Sequence, residues 1–130
     1  MSVAMEIETE CSVTLNQILS DLLTYEEVLA AVAVTVEGLV MGSAGMFDAD
    51  IDLVSLLGAS LVGVAERSTR RLGAGSAISM NIMTGSGMIT IRNGGDFALM
   101  IFSSPCDSTV LHEVLAKPMA QMAQILNPVS

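Results

Sequence analysis

The stretch SLLGASLVGVAERSTRRL occupies residues 55–72. Its apolar residues recur at helical spacing, yet Gly58 and Gly63 stand in its interior. Each interior glycine costs a helix roughly 1 kcal/mol relative to alanine. A helix that keeps both, beside Ala59 and Ser60, makes room for another backbone to come close. At about 100° per residue, Leu53, Val64, Leu57, Leu61, Val54, Ala65, Gly58, Ile51 and Val62 fill an arc of roughly 180°. A helix lying on one sheet needs a stripe only somewhat wider than about 100°. Leu56, Ala59, Ser60 and Gly63 carry small or apolar character onto the remaining face. Two readings follow: a deeply buried helix inside one domain, or a second copy of the helix lying alongside.

The flanking elements favour the second copy. Asp48, Asp50 and Asp52 suit the positive end of a helix dipole, and Gly73 suits a C-cap, so the helix spans about 49–72. Upstream, TLNQ (Thr14 to Gln17) reads as a capping box opening a helix over about 14–24. VLAAVAVTV, 28–36, is apolar on both faces, as a strand covered on both sides must be. Glu37-Gly38 turns it back into LVMGS, a hairpin. Downstream, 77–83 and 88–92 alternate, with Ile78, Met80 and Ile82 read as inward, and 97–102 is apolar throughout. TGSG and NGGD supply the turns. The last strand is therefore expected to be central and the 77–83 strand an edge. A helix over about 107–126 closes the chain, with Pro118 predicting a kink or a break at Lys117.

The order is (β)-α-β-β-α-β-β-β-α, an α+β domain over 14–126 with a tail at 127–130. Both outer helices are needed on the far face of the sheet, which leaves a copy of the 49–72 helix as its neighbour. Ser55, Gly58, Ala59, Val62 and Gly63 are the expected helix contacts. Ile78, Met80 and Ile82 are expected on an edge strand paired with its two-fold mate, since a bare edge invites aggregation. Residues 1–13 alternate strictly, with Glu6, Glu8 and Glu10 on one face. They read either as an extra half-exposed strand, paired at the 39–43 edge, or as an acidic tail without structure.

Composition excludes several functions. The 130 residues are 52% hydrophobic and 15% charged, enough for one domain with a substantial core. Ten Met serve as core filler or as an adaptable contact surface. The net charge is −9, with Arg67, Arg70, Arg71, Arg92 and Lys117 the only basic residues, which argues against nucleic acid and anionic membranes. No apolar run approaches a membrane span, and the start lacks the pattern of a secretory signal. Cys11 and Cys106 read as free thiols of a cytoplasmic protein.

Chemistry is sparse. His112 is the single histidine and reads as a boundary residue. The sequence lacks metal-ligand spacing, a phosphate loop and a nucleophile elbow, and the aspartates at 48, 50 and 52 lack the glycine and distal Glu of a calcium loop. The expectation is no catalytic residue, no metal and no cofactor.

The elements VAVTVEGLVMGS, LLGASLVGVAERSTRRLGAG and GMITIRNGGDFALMIF, with the closing helix, resemble the roadblock/LC7 family, whose bacterial and archaeal members include MglB-type proteins. The resemblance implies a profilin-like fold: a five-stranded antiparallel sheet between one helix and two, dimerised through edge strands and middle helices. It also implies binding to a small Ras-like GTPase, as regulator or as scaffold. The partner surface is expected at Leu56, apolar on the polar side of the helix, and at Arg67 and Arg70, rare cations on an acidic chain. The arginines also suit a solvated helix end. A ligand-sensing domain with a pocket between sheet and helices is the alternative of a different class.

Overall fold

The computed structural model describes residues 14–45, 50–105 and 108–126. The expectations for residues 1–13 and 127–130, for Asp48, and for Cys11 and Cys106 lie outside the described residues.

Among the described residues five strands form one antiparallel sheet: β1 (Val28–Thr35), β2 (Val40–Gly45), β3 (Ser79–Met83), β4 (Met88–Asn93) and β5 (Phe97–Ser103). Their spatial order is β2-β1-β5-β4-β3. The strands that are apolar on both faces, β1 and β5, lie inside the sheet, and the alternating β3 is an edge, as their patterning requires. Gly38 makes the β1–β2 turn with φ +93°, a conformation closed to most side chains. The β1–β2 register shifts between Ala33 and Val34, an irregularity of the kind that bends a strand locally.

The sheet has two apolar faces because side chains alternate. On one face, Ala31, Ala33, Leu99 and Ile101 pack against two helices: α1, helical over residues 14–22, and α3 (Ser108–Leu126). Leu15, Leu19 and Leu22 of α1 and Leu111, Leu115 and Met122 of α3 fill that core. The first helix ends before residue 24, in turns bonded back to Ser20, Asp21 and Leu22. Gln17, read as half of a capping box, donates forward from Nε2 to Asp21 Oδ1 at 2.9 Å. The last helix continues through Pro118 without a break at Lys117. On the other face, Val32, Val34, Ile91, Ala98 and Met100 lie beneath a single helix, α2 (Ile51–Arg71).

Candidate interaction surface

Asp50 starts α2. Its Oδ1 accepts from the amides of Asp52 (3.1 Å) and Leu53 (3.5 Å), a local N-cap. Ser55, fully buried, donates to the Gly38 carbonyl at 2.8 Å and locks the helix to the hairpin turn. A Cβ at Gly38 would come within 2.9 Å of Leu56 Cα, so the turn and helix backbones nearly touch. One turn further on, Gly58 faces Met100. A Cβ there would sit 2.8 Å from Met100 Cε and closer still to its sulfur. Gly73, with φ +74°, donates to the Arg70 carbonyl and ends the helix.

This corrects part of the expected contact set. Ser55 and Gly58 are buried against the chain's own sheet and are closed to a second copy. The close neighbour that Gly58 accommodates is the chain's own Met100. Ala59, Val62 and Gly63 are half-buried and line a groove between the helix and the strand ends. Gly63 has no tight neighbour: a Cβ would meet only Arg67 Nη1, at 3.5 Å. On the edge strand, Met80 and Ile82 are half-buried on the α2 face, but Ile78 precedes β3 and is 65% exposed.

Ser55 and Gly58 turn to the sheet together with Ile51, Val54 and Val62, and the leucines turn away from it. Leu53, Leu57, Leu61 and Val64 are all exposed large hydrophobics. Their spacing of four, four and three residues makes one stripe along the helix flank. The sequence put these four in an apolar arc too wide for one sheet, and in the structure they are the part of that arc that the sheet leaves uncovered. Beside this flank, Met80, Ile82, Ile89 and Phe102 form a half-buried apolar patch on β3, β4 and β5. β3 pairs with β4 alone among the described strands.

The opposite flank of α2 borders the groove, a space of about 430 Å³ reaching from Val36 to Ile78. Glu66 closes one end and gathers four donors. Arg70 Nε (2.7 Å) and Ser76 Oγ (2.8 Å) reach Oε1; the Ala77 amide (2.9 Å) and Asn93 Nδ2 (3.3 Å) reach Oε2. The Arg70 guanidinium, followed by Ser76 and Ala77, holds the Glu66 carboxyl below the usual carboxylate range. The hub ties α2 to the α2–β3 loop and to the end of β4. Nothing in local spacing announces it, since residues 66, 76, 77 and 93 meet only in the fold.

Of the three expected partner residues, Leu56 is 51% exposed beside Gly38 and Arg67 is exposed. Arg70 is committed to Glu66 and Ser76. The three share the outer side of α2 but form no cluster, because Leu56 stands about three helical turns from Arg67. On the far face of the sheet, exposed His112 meets Arg92 through its Nδ1. Among the described residues no three His, Cys, Asp or Glu gather to hold a metal ion, and no helix is long and apolar enough to cross a membrane.

No protein-family model matches the sequence, and no curated protein does. Solved structures match the architecture closely. MglB of Myxococcus xanthus superposes with a TM-score of 0.84 at 13% identity, over 92% of this chain and 92% of its own. A roadblock/LC7 domain from Streptomyces avermitilis gives 0.78 at 19% identity, over 85% of this chain and 96% of its own. The chain has the roadblock/LC7 fold. The gliding protein MglB of Thermus thermophilus also matches, with a TM-score of 0.73 at 14% identity over 91% of this chain and 90% of its own. At such identities the roadblock/LC7 likeness is one of backbone and topology, carried by the sheet order and by one helix facing two.

Proposed function

We propose that this chain is a non-enzymatic homodimer of the cytoplasm that docks a small Ras-like GTPase and modulates its nucleotide cycle. One observation carries the dimer: the α2 face of the sheet is half covered. α2 crosses the strands near the end marked by Gly38, Ala77 and Asn93, which leaves the other end of β3, β4 and β5 beside it. Among the described residues the other face has two helices and this face has one. Beside α2 lie the patch of Met80, Ile82, Ile89 and Phe102 and the stripe of Leu53, Leu57, Leu61 and Val64. A second copy of α2 over that patch, with its β3 against this one, covers both and removes a bare edge. The dimer contact is thus assigned to the exposed stripe and to Met80 and Ile82.

The GTPase reading rests on the family resemblance and on the outer surface of α2, where Leu56 and Arg67 remain exposed beside the Arg70–Glu66 pair. An arginine finger is disfavoured, because Arg70 is held by Glu66 and both arginines stand on a packed helix; docking that repositions the GTPase's own groups fits better. The groove supports the ligand-sensor alternative by its size. Its main polar group, Glu66, has both oxygens already engaged, which ranks that reading second.

The test uses light scattering and single-turnover GTP hydrolysis with a Ras-like GTPase from the same genome. Wild type should be dimeric at micromolar concentration, and Leu57→Lys/Leu61→Lys monomeric. Arg67→Ala/Arg70→Ala should lose GTPase binding while remaining dimeric. Binding to neither nucleotide state would put the ligand sensor ahead; binding without altered turnover would leave a scaffold.

A further inference from the structure

The apolar stripe of α2 is bracketed by opposite charges. Asp50 stands at its N-terminal end and Arg71 at its C-terminal end, both exposed. At about 100° per residue the two lie within about 60° of each other, on the flank that carries Leu57 and Val64. Asp50 uses Oδ1 for the cap, and Arg71 has no ion-pair partner among the described residues, where Arg70 takes Glu66 instead. Around Arg71, a shallow depression is lined by Val64, Arg67, Ser68 and Leu72, the last 82% exposed.

These positions are self-complementary. Two copies of α2 related by a two-fold axis perpendicular to them run antiparallel. Centring the axis between Ser60 and Leu61 sets Leu57 opposite the partner's Val64 and Leu53 opposite the partner's Ser68, over the depression. The same register sets Asp50 opposite the partner's Arg71. The geometry points to a second copy of this chain seated in that register, with two Asp50–Arg71 pairs clamping the ends of the helix pair. Antiparallel helix dipoles favour the same arrangement. A parallel pair would set Asp50 against Asp50 and Arg71 against Arg71. The clamp makes the surface selective for its own copy over other chains of the same fold, because opposite charges must arrive at both ends together.

This inference rests on the proposed pairing of the chain with itself and is independent of any GTPase. The experiment is analytical ultracentrifugation of the full chain at low salt, with circular dichroism to confirm folding. Asp50→Lys alone and Arg71→Glu alone should each weaken the homodimer about tenfold, since each exposed pair becomes a repulsion twice per dimer. Mixed together, the two variants should form a heterodimer within about twofold of wild-type affinity, and the differences should shrink in high salt. Asp50→Asn, which keeps a capping oxygen, should fall between wild type and Asp50→Lys. A mixture no tighter than either variant alone overturns the clamp. Rescue of Asp50→Lys by Arg67→Glu rather than by Arg71→Glu overturns the register, shifting it by one turn. A monomeric wild type overturns the pairing on which both stand.

Discussion

Substituting alanine at each of the two interior glycines of α2 should have opposite effects. Both changes relieve the helix of a poor helix former, worth about 1 kcal/mol. At Gly63 nothing opposes the gain, because the new Cβ meets only the flexible tip of Arg67 at 3.5 Å. Gly63→Ala should therefore stabilise the protein by about 0.5–1 kcal/mol. At Gly58 the new methyl meets the Met100 side chain, 2.8 Å from Cε, in a core where Met100 is 4% exposed. Overpacking of that kind costs about 1–3 kcal/mol, although the thioether can swing away in part. The balance leaves Gly58→Ala about 1 kcal/mol less stable than wild type. Urea unfolding at matched chain concentration resolves the two, which should differ by about 1.5–2 kcal/mol. In a Met100→Ala background the methyl has space, so Gly58→Ala should there become neutral or stabilising. Equal gains at both sites would show that α2 does not rest on Met100. A loss at Gly63 as large as that at Gly58 would mean that another backbone approaches Gly63, and would restore the sequence expectation that the small residues face a second copy.

Two further measurements address the remaining polar groups. The Glu66 carboxylate is held below its ordinary value of 4.5, so its contribution to folding is fully present above that pH and is lost as pH falls through the lower folded value. The stability gap between wild type and Glu66→Gln should be widest near neutrality and close in acid, with faster exchange of the Ala77 amide in the variant; a gap independent of pH would remove the charge from the explanation. Thr90 is buried at 4% exposure, and its hydroxyl has no hydrogen-bond partner among the described residues, so Thr90→Val should raise stability by about 1 kcal/mol in urea unfolding. A lower midpoint would show that the hydroxyl is bonded.

Much of the architecture was legible because it depends on neighbours in sequence. Alternation marked β3 as an edge and two-sided apolarity marked β5 as central. Gly38 and Gly73 occupy the positive-φ positions expected of a turn and a helix end, and Asp50 caps the helix that the aspartates announced. The candidate site was less legible. Leu56 and Arg67 are exposed as expected, but Arg70 is engaged by Glu66, whose other donors lie ten or more residues away. The Arg92–His112 contact joins residues twenty apart and had no signal at all.

The order of the elements, their turns and caps, and the angular relations of residues within α2 were readable from sequence, because each follows from local backbone preferences and from the pitch of a helix. The rotation of α2 on the sheet was not readable there and emerges from packing. Periodicity fixes the differences between residues around a helix axis and leaves the absolute rotation free. That rotation was set by the surface beneath: the Gly38 carbonyl that takes Ser55, the Met100 side chain that lies close against Gly58, and the apolar sheet face that takes Ile51, Val54 and Val62. With Ile51, Val54, Ser55, Gly58 and Val62 inward, Leu53, Leu57, Leu61 and Val64 stand outside as an exposed apolar stripe.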